Sequence, residues 1–113
     1  MNKRDELMVD YVNDLRNKCS VDPDLKLLKR VAVGCGPAIY TKNSSMITGV
    51  RASELNTIRN RFLIKKLGLS KNDKLDEGID TVMKQYGESN RYKFRVVVYY
   101  LLTKHFKKEL VYG

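Results

Sequence analysis

One histidine and two cysteines are the side chains of this chain best suited to covalent or proton-transfer chemistry, and their positions limit what they can do. His105 has no second histidine to join it, so a histidine metal cluster or an intramolecular His pair is ruled out. It falls within a stripe of Phe94, Val97, Val98, Leu101 and Leu102, which favours a partly buried, hydrogen-bonded imidazole over a general base. Cys35 stands between glycines in Gly34-Cys35-Gly36-Pro37. A nucleophilic thiol needs a base or a cation to ionise, and the carboxyl end of a helix opposes ionisation. Only a spatial pairing of Cys35 with His105 would reverse that. The expectation is therefore no catalytic residue, no cofactor, no metal and no enzyme.

The same glycine segment is a poor phosphate loop, because such loops follow a strand and open a helix with a lysine or serine set for the phosphate. Here the glycines end a helix. Asp73, Asp76, Glu77 and Asp80 lack calcium-loop spacing and spread over a solvated helix face. The basic residues are the more productive group. Arg59, Arg61, Lys65 and Lys66 crowd one helical segment. Arg91, Lys93, Arg95, Lys104, Lys107 and Lys108 punctuate the last one, interleaved with Tyr92, Tyr99, Tyr100 and Phe106. That mixture of cations and aromatics suits phosphate contact and base stacking. Arg59, Arg61, Lys65, Lys66, Arg91, Lys93 and Lys104 are the candidate anion or nucleic-acid contacts. A helix-turn-helix is a weak fit, since its second helix would carry three lysines against five acids between Lys71 and Glu88.

The elements that must position these residues are helices. Leu7, Met8, Tyr11, Val12, Leu15 and Cys19 recur at three- and four-residue intervals over 2–18. Asp22 and Pro23 form a cap and first turn for a second helix, which carries Leu25, Leu27, Leu28, Val31 and Ala32 and stops at the glycines. Residues 38–50 are irregular, with turns marked by Asn43, Ser44, Ser45 and Gly49. Helical spacing resumes from Arg51 with Leu55, Ile58, Phe62 and Leu67 and closes at Gly68-Leu69. A fourth helix, capped by Ser70 with Asp73 or by Asn72, runs through Leu75, Ile79, Val82, Met83 and Tyr86 to Gly87.

RVVVYYLL is strand-like by propensity, but about twenty residues without glycine or proline fit a long helix better than a strand of five or six. The last helix is thus expected from Ser89 or Asn90 to about Glu109. Val96, Tyr99 and Tyr100 lie off the centre of its stripe, so this helix is either central or the site of an interface.

The fold class expected is all-α: a single-domain bundle of about five helices over 1–113, with an irregular loop in the middle. GCGPAIY at 34–40, Ser44-Ser45, FLIKKLGLS at 62–70 and SNRYKFRVVVYYLLTKHF at 89–106 resemble, in order and spacing, a family of small uncharacterised bacterial proteins, a domain of unknown function. The resemblance implies an all-helical bacterial protein and no activity.

With 42% hydrophobic and 31% charged residues, the chain has the composition of a folded domain. Its N-terminal acids break any secretory signal, and the longest apolar run, Val96 to Leu102, is far short of the roughly 20 residues of a membrane helix. A cytoplasmic protein with reduced thiols and no membrane contact is the expectation. The net charge of +9 favours anionic partners. The leading functional expectation is a small binding or interaction module, with a protein partner or a homo-oligomer formed along the last helix. The alternative is non-specific nucleic-acid binding through a basic surface.

Overall fold

Asn2 opens the first helix by accepting a hydrogen bond from the Asp5 amide at 2.9 Å, which satisfies one of the donors a helix start leaves free. The computed structural model describes residues 2–113, and in it this helix, α1, spans Lys3–Asn17, burying Tyr11 and Leu15. Helix α2 spans Leu25–Gly34. Its cap is Asp24, not Asp22: the Asp24 carboxylate accepts from the amides of Lys26 and Leu27. A distant contact sets this register. The Asp24 amide donates to the Tyr100 hydroxyl at 2.8 Å, while Asp22 pairs with Arg16 at 3.1 Å.

Residues 38–50 hold more order than their composition suggests. A 3-10 turn at Gly36–Tyr40 leads to the one-turn helix α3 at Lys42–Ser45 and strand β1 at Met46–Ile47. That strand pairs antiparallel with β2, Lys93–Phe94, placing Met46 opposite Phe94 and Ile47 opposite Lys93. Strands of two residues carry no readable period, so neither was expected. The consequence reaches the last helix, α6, which runs only Arg95–His105, because β2 takes the residues before it. Beyond it a 3-10 turn spans Glu109–Tyr112.

Glu54 pins the loop after β1. Its carboxylate accepts from the Thr48 hydroxyl at 2.6 Å and the amides of Thr48 and Gly49 at 3.1 and 3.0 Å. Burial alone would raise its pKa, but these hydrogen bonds outweigh burial and hold it below the usual value. A carboxylate whose folded pKa is depressed contributes stability above its unfolded pKa, about 4.3, and loses it as pH falls through the folded value. Glu54→Gln is therefore expected to lower the melting temperature at pH 7 and to narrow the gap to wild type between about pH 5 and pH 3, as followed by circular dichroism melts.

Helix α4 begins as Ala52–Thr57 and continues as a π-helix over Ile58–Lys66, with the Leu67 amide reaching back five residues to the Phe62 carbonyl at 2.9 Å. Gly68 adopts φ +75, and the Leu69 amide bonds to the Leu63 carbonyl at 3.0 Å, the glycine stop expected there. Helix α5 spans Leu75–Tyr86. Neither Ser70 nor Asn72 caps it. Asp73 accepts from the Ser70 amide and hydroxyl, closing a turn ahead of the helix, and Lys74 at φ +54 holds the cap position.

Helix α6 runs through the centre of the molecule, with every residue from Val96 to Thr103 buried. It packs on α1, α2 and α5. Val96, Tyr99 and Tyr100 are 1%, 8% and 1% exposed, so the off-stripe residues are core, and the case for an interface built from them falls away. Five substantial helices, the short α3 and one small ladder make the protein mostly helical, as expected. Among the described residues no helix is long and apolar enough to cross a membrane.

Candidate anion-binding clefts

The wider turn of the π-helix brings Lys66 round toward Arg61. On an α-helix, at about 100° per residue, Arg61 and Lys66 would stand roughly 140° apart. With bonds closing over five residues, Arg61 and Lys66 line one cleft together with Thr57 and Phe62. Lys65 is exposed and lines neither this cleft nor the one beside it. Arg95 and Tyr99 of α6 line the same cleft, and Gly34, Cys35, Ala38, Ser44 and Tyr112 complete its lining. The cleft measures about 440 Å³.

Arg95 is held before any ligand arrives. Its Nε donates to the Ser44 carbonyl at 2.6 Å and a terminal nitrogen donates to the Tyr99 hydroxyl at 2.7 Å. Tyr99 in turn stacks on Phe62, centroids 3.8 Å apart and planes 10° from parallel. Lys66 sits over the Tyr112 ring at 4.9 Å. Burial pushes the Cys35 thiol up to about 11, against the lowering effect of Arg95 and Lys66, so the thiol stays protonated at neutral pH.

A second cleft of about 490 Å³ shares Gly34, Lys66 and Tyr112 with the first and adds Lys26, Lys29 and Arg30 of α2. No carboxylate lines either cleft, and none of these cations belongs to the ion pairs of the described residues. The clefts around Met83, Lys74 and Tyr92 each include at least one acid.

Several expected contacts lie elsewhere. Arg59 is bound to Asp76 at 2.8 Å and to Asn56 at 2.7 Å. Lys104 pairs with Glu109 at 3.4 Å. Arg91 lies over the Tyr92 ring at 5.4 Å and lines neither basic cleft. Lys93 is only 2% exposed, its Nζ donating to the Asn90 carbonyl at 2.6 Å and lying 3.5 Å from that of Thr48. Burial lowers its pKa, while Glu88 and Glu54 pull it up. This lysine ties the β1–β2 ladder to the loops and cannot reach a phosphate. Lys93→Met, which keeps the apolar stem but leaves the Asn90 carbonyl without its donor, is expected to cost about 1–3 kcal/mol in urea denaturation and to leave anion affinity unaltered.

His105 is exposed, not half-buried in the stripe. Phe106 turns onto Gly78, where a Cβ would come within 2.3 Å of its ring, and the imidazole meets Phe106 edge-on at 4.8 Å. Arg95, beside Cys35, and His105 are the two ends of α6, about 15 Å apart at 1.5 Å per residue. The Cys35–His105 pair does not form.

Missed by sequence reading were Lys26, Lys29 and Arg30. Their i, i+3 and i+4 spacing places them together, but only the fold brings them to Lys66.

Fold and site together define a mostly helical domain with a carboxylate-free basic groove. The chain belongs to the family described as protein of unknown function (DUF2853), whose model matches residues 10–110. No curated protein matches it.

Proposed function

We propose that this protein is a binding module for nucleic acid, held through its phosphate backbone along the two adjoining clefts. The observation that carries this reading is the set of cations Lys26, Lys29, Arg30, Arg61, Lys66 and Arg95 lining two adjoining clefts, joined at Lys66, without a carboxylate. Along α2 alone, Lys26 to Gly34 covers about 12 Å, a span that suits a chain of phosphates. The aromatic residues of the groove are occupied, Tyr99 by Phe62 and Tyr112 by Lys66, so base stacking contributes little and recognition is independent of sequence.

The test is a fluorescence-anisotropy titration with short single- and double-stranded DNA and RNA over a salt series. Neutralising three or four phosphates of a single strand gives a log–log slope of about −2 to −3. Affinity that is absent at low salt, or present but insensitive to salt, would overturn the reading.

A further inference from the structure

We infer that the Arg61–Lys66–Arg95 cleft is a site for a phosphate monoester, the terminal phosphate of a strand or that of a free nucleotide. The inference builds on the reading of this face as anion-binding and adds a preference for the ligand's end over its interior. Three observations support it. The cations arrive from different elements, Arg61 and Lys66 from the π-helix and Arg95 from α6, and converge on a concave space of about 440 Å³, within the range of small-ligand sites, about 300–1,000 Å³. Arg95 is fixed by Ser44 and Tyr99 through two hydrogen bonds, leaving others of its five donors free for an oxyanion without further ordering. The Ser44 hydroxyl, which makes no hydrogen bond of its own within the described residues, is a further donor among the residues lining the cleft.

Chemistry favours the monoester. An internal phosphodiester carries one charge and two bridging oxygens, whereas a monoester carries about −1.5 to −2 at pH 7 and offers three acceptor oxygens. Cations converging from several sides can use all three oxygens only when the phosphate is terminal. The groove containing Lys26, Lys29 and Arg30, by contrast, is a row along one helix and suits diesters passing over it.

The experiment compares one oligonucleotide with a 5′-phosphate, a 3′-phosphate or neither, alongside adenosine 5′-monophosphate and adenosine, by calorimetry or competition. A terminal phosphate is expected to tighten binding about tenfold, the worth of one charge-assisted hydrogen bond. The advantage should shrink as pH falls through about 6, where the monoester takes up a proton. Arg61→Ala, at an exposed position, should weaken the phosphorylated strand more than the unphosphorylated one and so shrink the tenfold ratio, whereas Lys29→Ala in the neighbouring cleft should weaken both strands alike and leave the ratio unchanged.

Equal affinity for phosphorylated and unphosphorylated strands would overturn the monoester site and leave the backbone reading standing. Binding of the monophosphate but not adenosine, with no binding of any oligonucleotide, would sustain the site and remove the backbone reading. Failure of every ligand at millimolar concentration would end both.

Discussion

Replacing Arg61 and Lys66 together by glutamate is expected to weaken binding of a short single-stranded oligonucleotide about a hundredfold at low salt, with melting temperature little changed. Both side chains are exposed and neither is in an ion pair, so reversal of their charge costs the fold little. The effect on binding is larger, because contacts are lost and like charge is put in their place. About 3 kcal/mol in total corresponds to a hundredfold. The log–log salt slope should fall toward about −1 as two phosphates at about −0.7 each drop out. Lys65→Glu is the control matched to Lys66→Glu alone: the same helix and the same lysine-to-glutamate reversal, but a residue outside both clefts. If all three changes weakened binding equally, net charge and not the cleft would be responsible. If Arg61→Glu with Lys66→Glu left affinity intact, the groove would not be the site.

That contrast between Lys65 and Lys66 also shows where sequence reading reaches its limit. Helix existence was legible because apolar residues recur at α spacing from Leu7 to Cys19 and from Leu75 to Tyr86, and burial follows that spacing. The glycine stop at Gly68 was legible because its left-handed φ serves a local bond pattern. Not legible were features set by partners far along the chain: Asp24 as cap, chosen by Tyr100; β2, chosen by Met46 and Ile47; and the occupation of Arg59 by Asp76. The π register over 58–66 belongs to neither group, since no residue type there announces it, yet it turns Lys66 toward Arg61. Of the basic residues named from the sequence as candidate contacts, only Arg61 and Lys66 line the groove.

Tyr86→Phe is expected to produce the largest loss of stability, about 2–4 kcal/mol by urea denaturation. Its hydroxyl donates to the Asp14 carboxylate of α1 and accepts from the Phe94 amide at 3.1 Å, so one atom joins α5, α1 and the start of α6. Tyr86 is fully buried, and burial first, then the bond to Asp14, raises its pKa and keeps the phenol protonated. Removing the oxygen leaves the Phe94 amide without a side-chain partner and Asp14 with only Lys18, 3.5 Å away. Buried groups stranded in this way cost more than the hydrogen bond itself contributes. Asp14→Asn removes the charge but keeps an acceptor, so it should cost less, and Asp14→Asn with Tyr86→Phe should cost less than the sum of the two. Additive losses would mean that the two side chains are not coupled. Because Phe94 directly precedes Arg95, the same variant tests whether the packing below the cleft positions its cations: oligonucleotide affinity should fall modestly, about two- to threefold, through a less fixed Arg95.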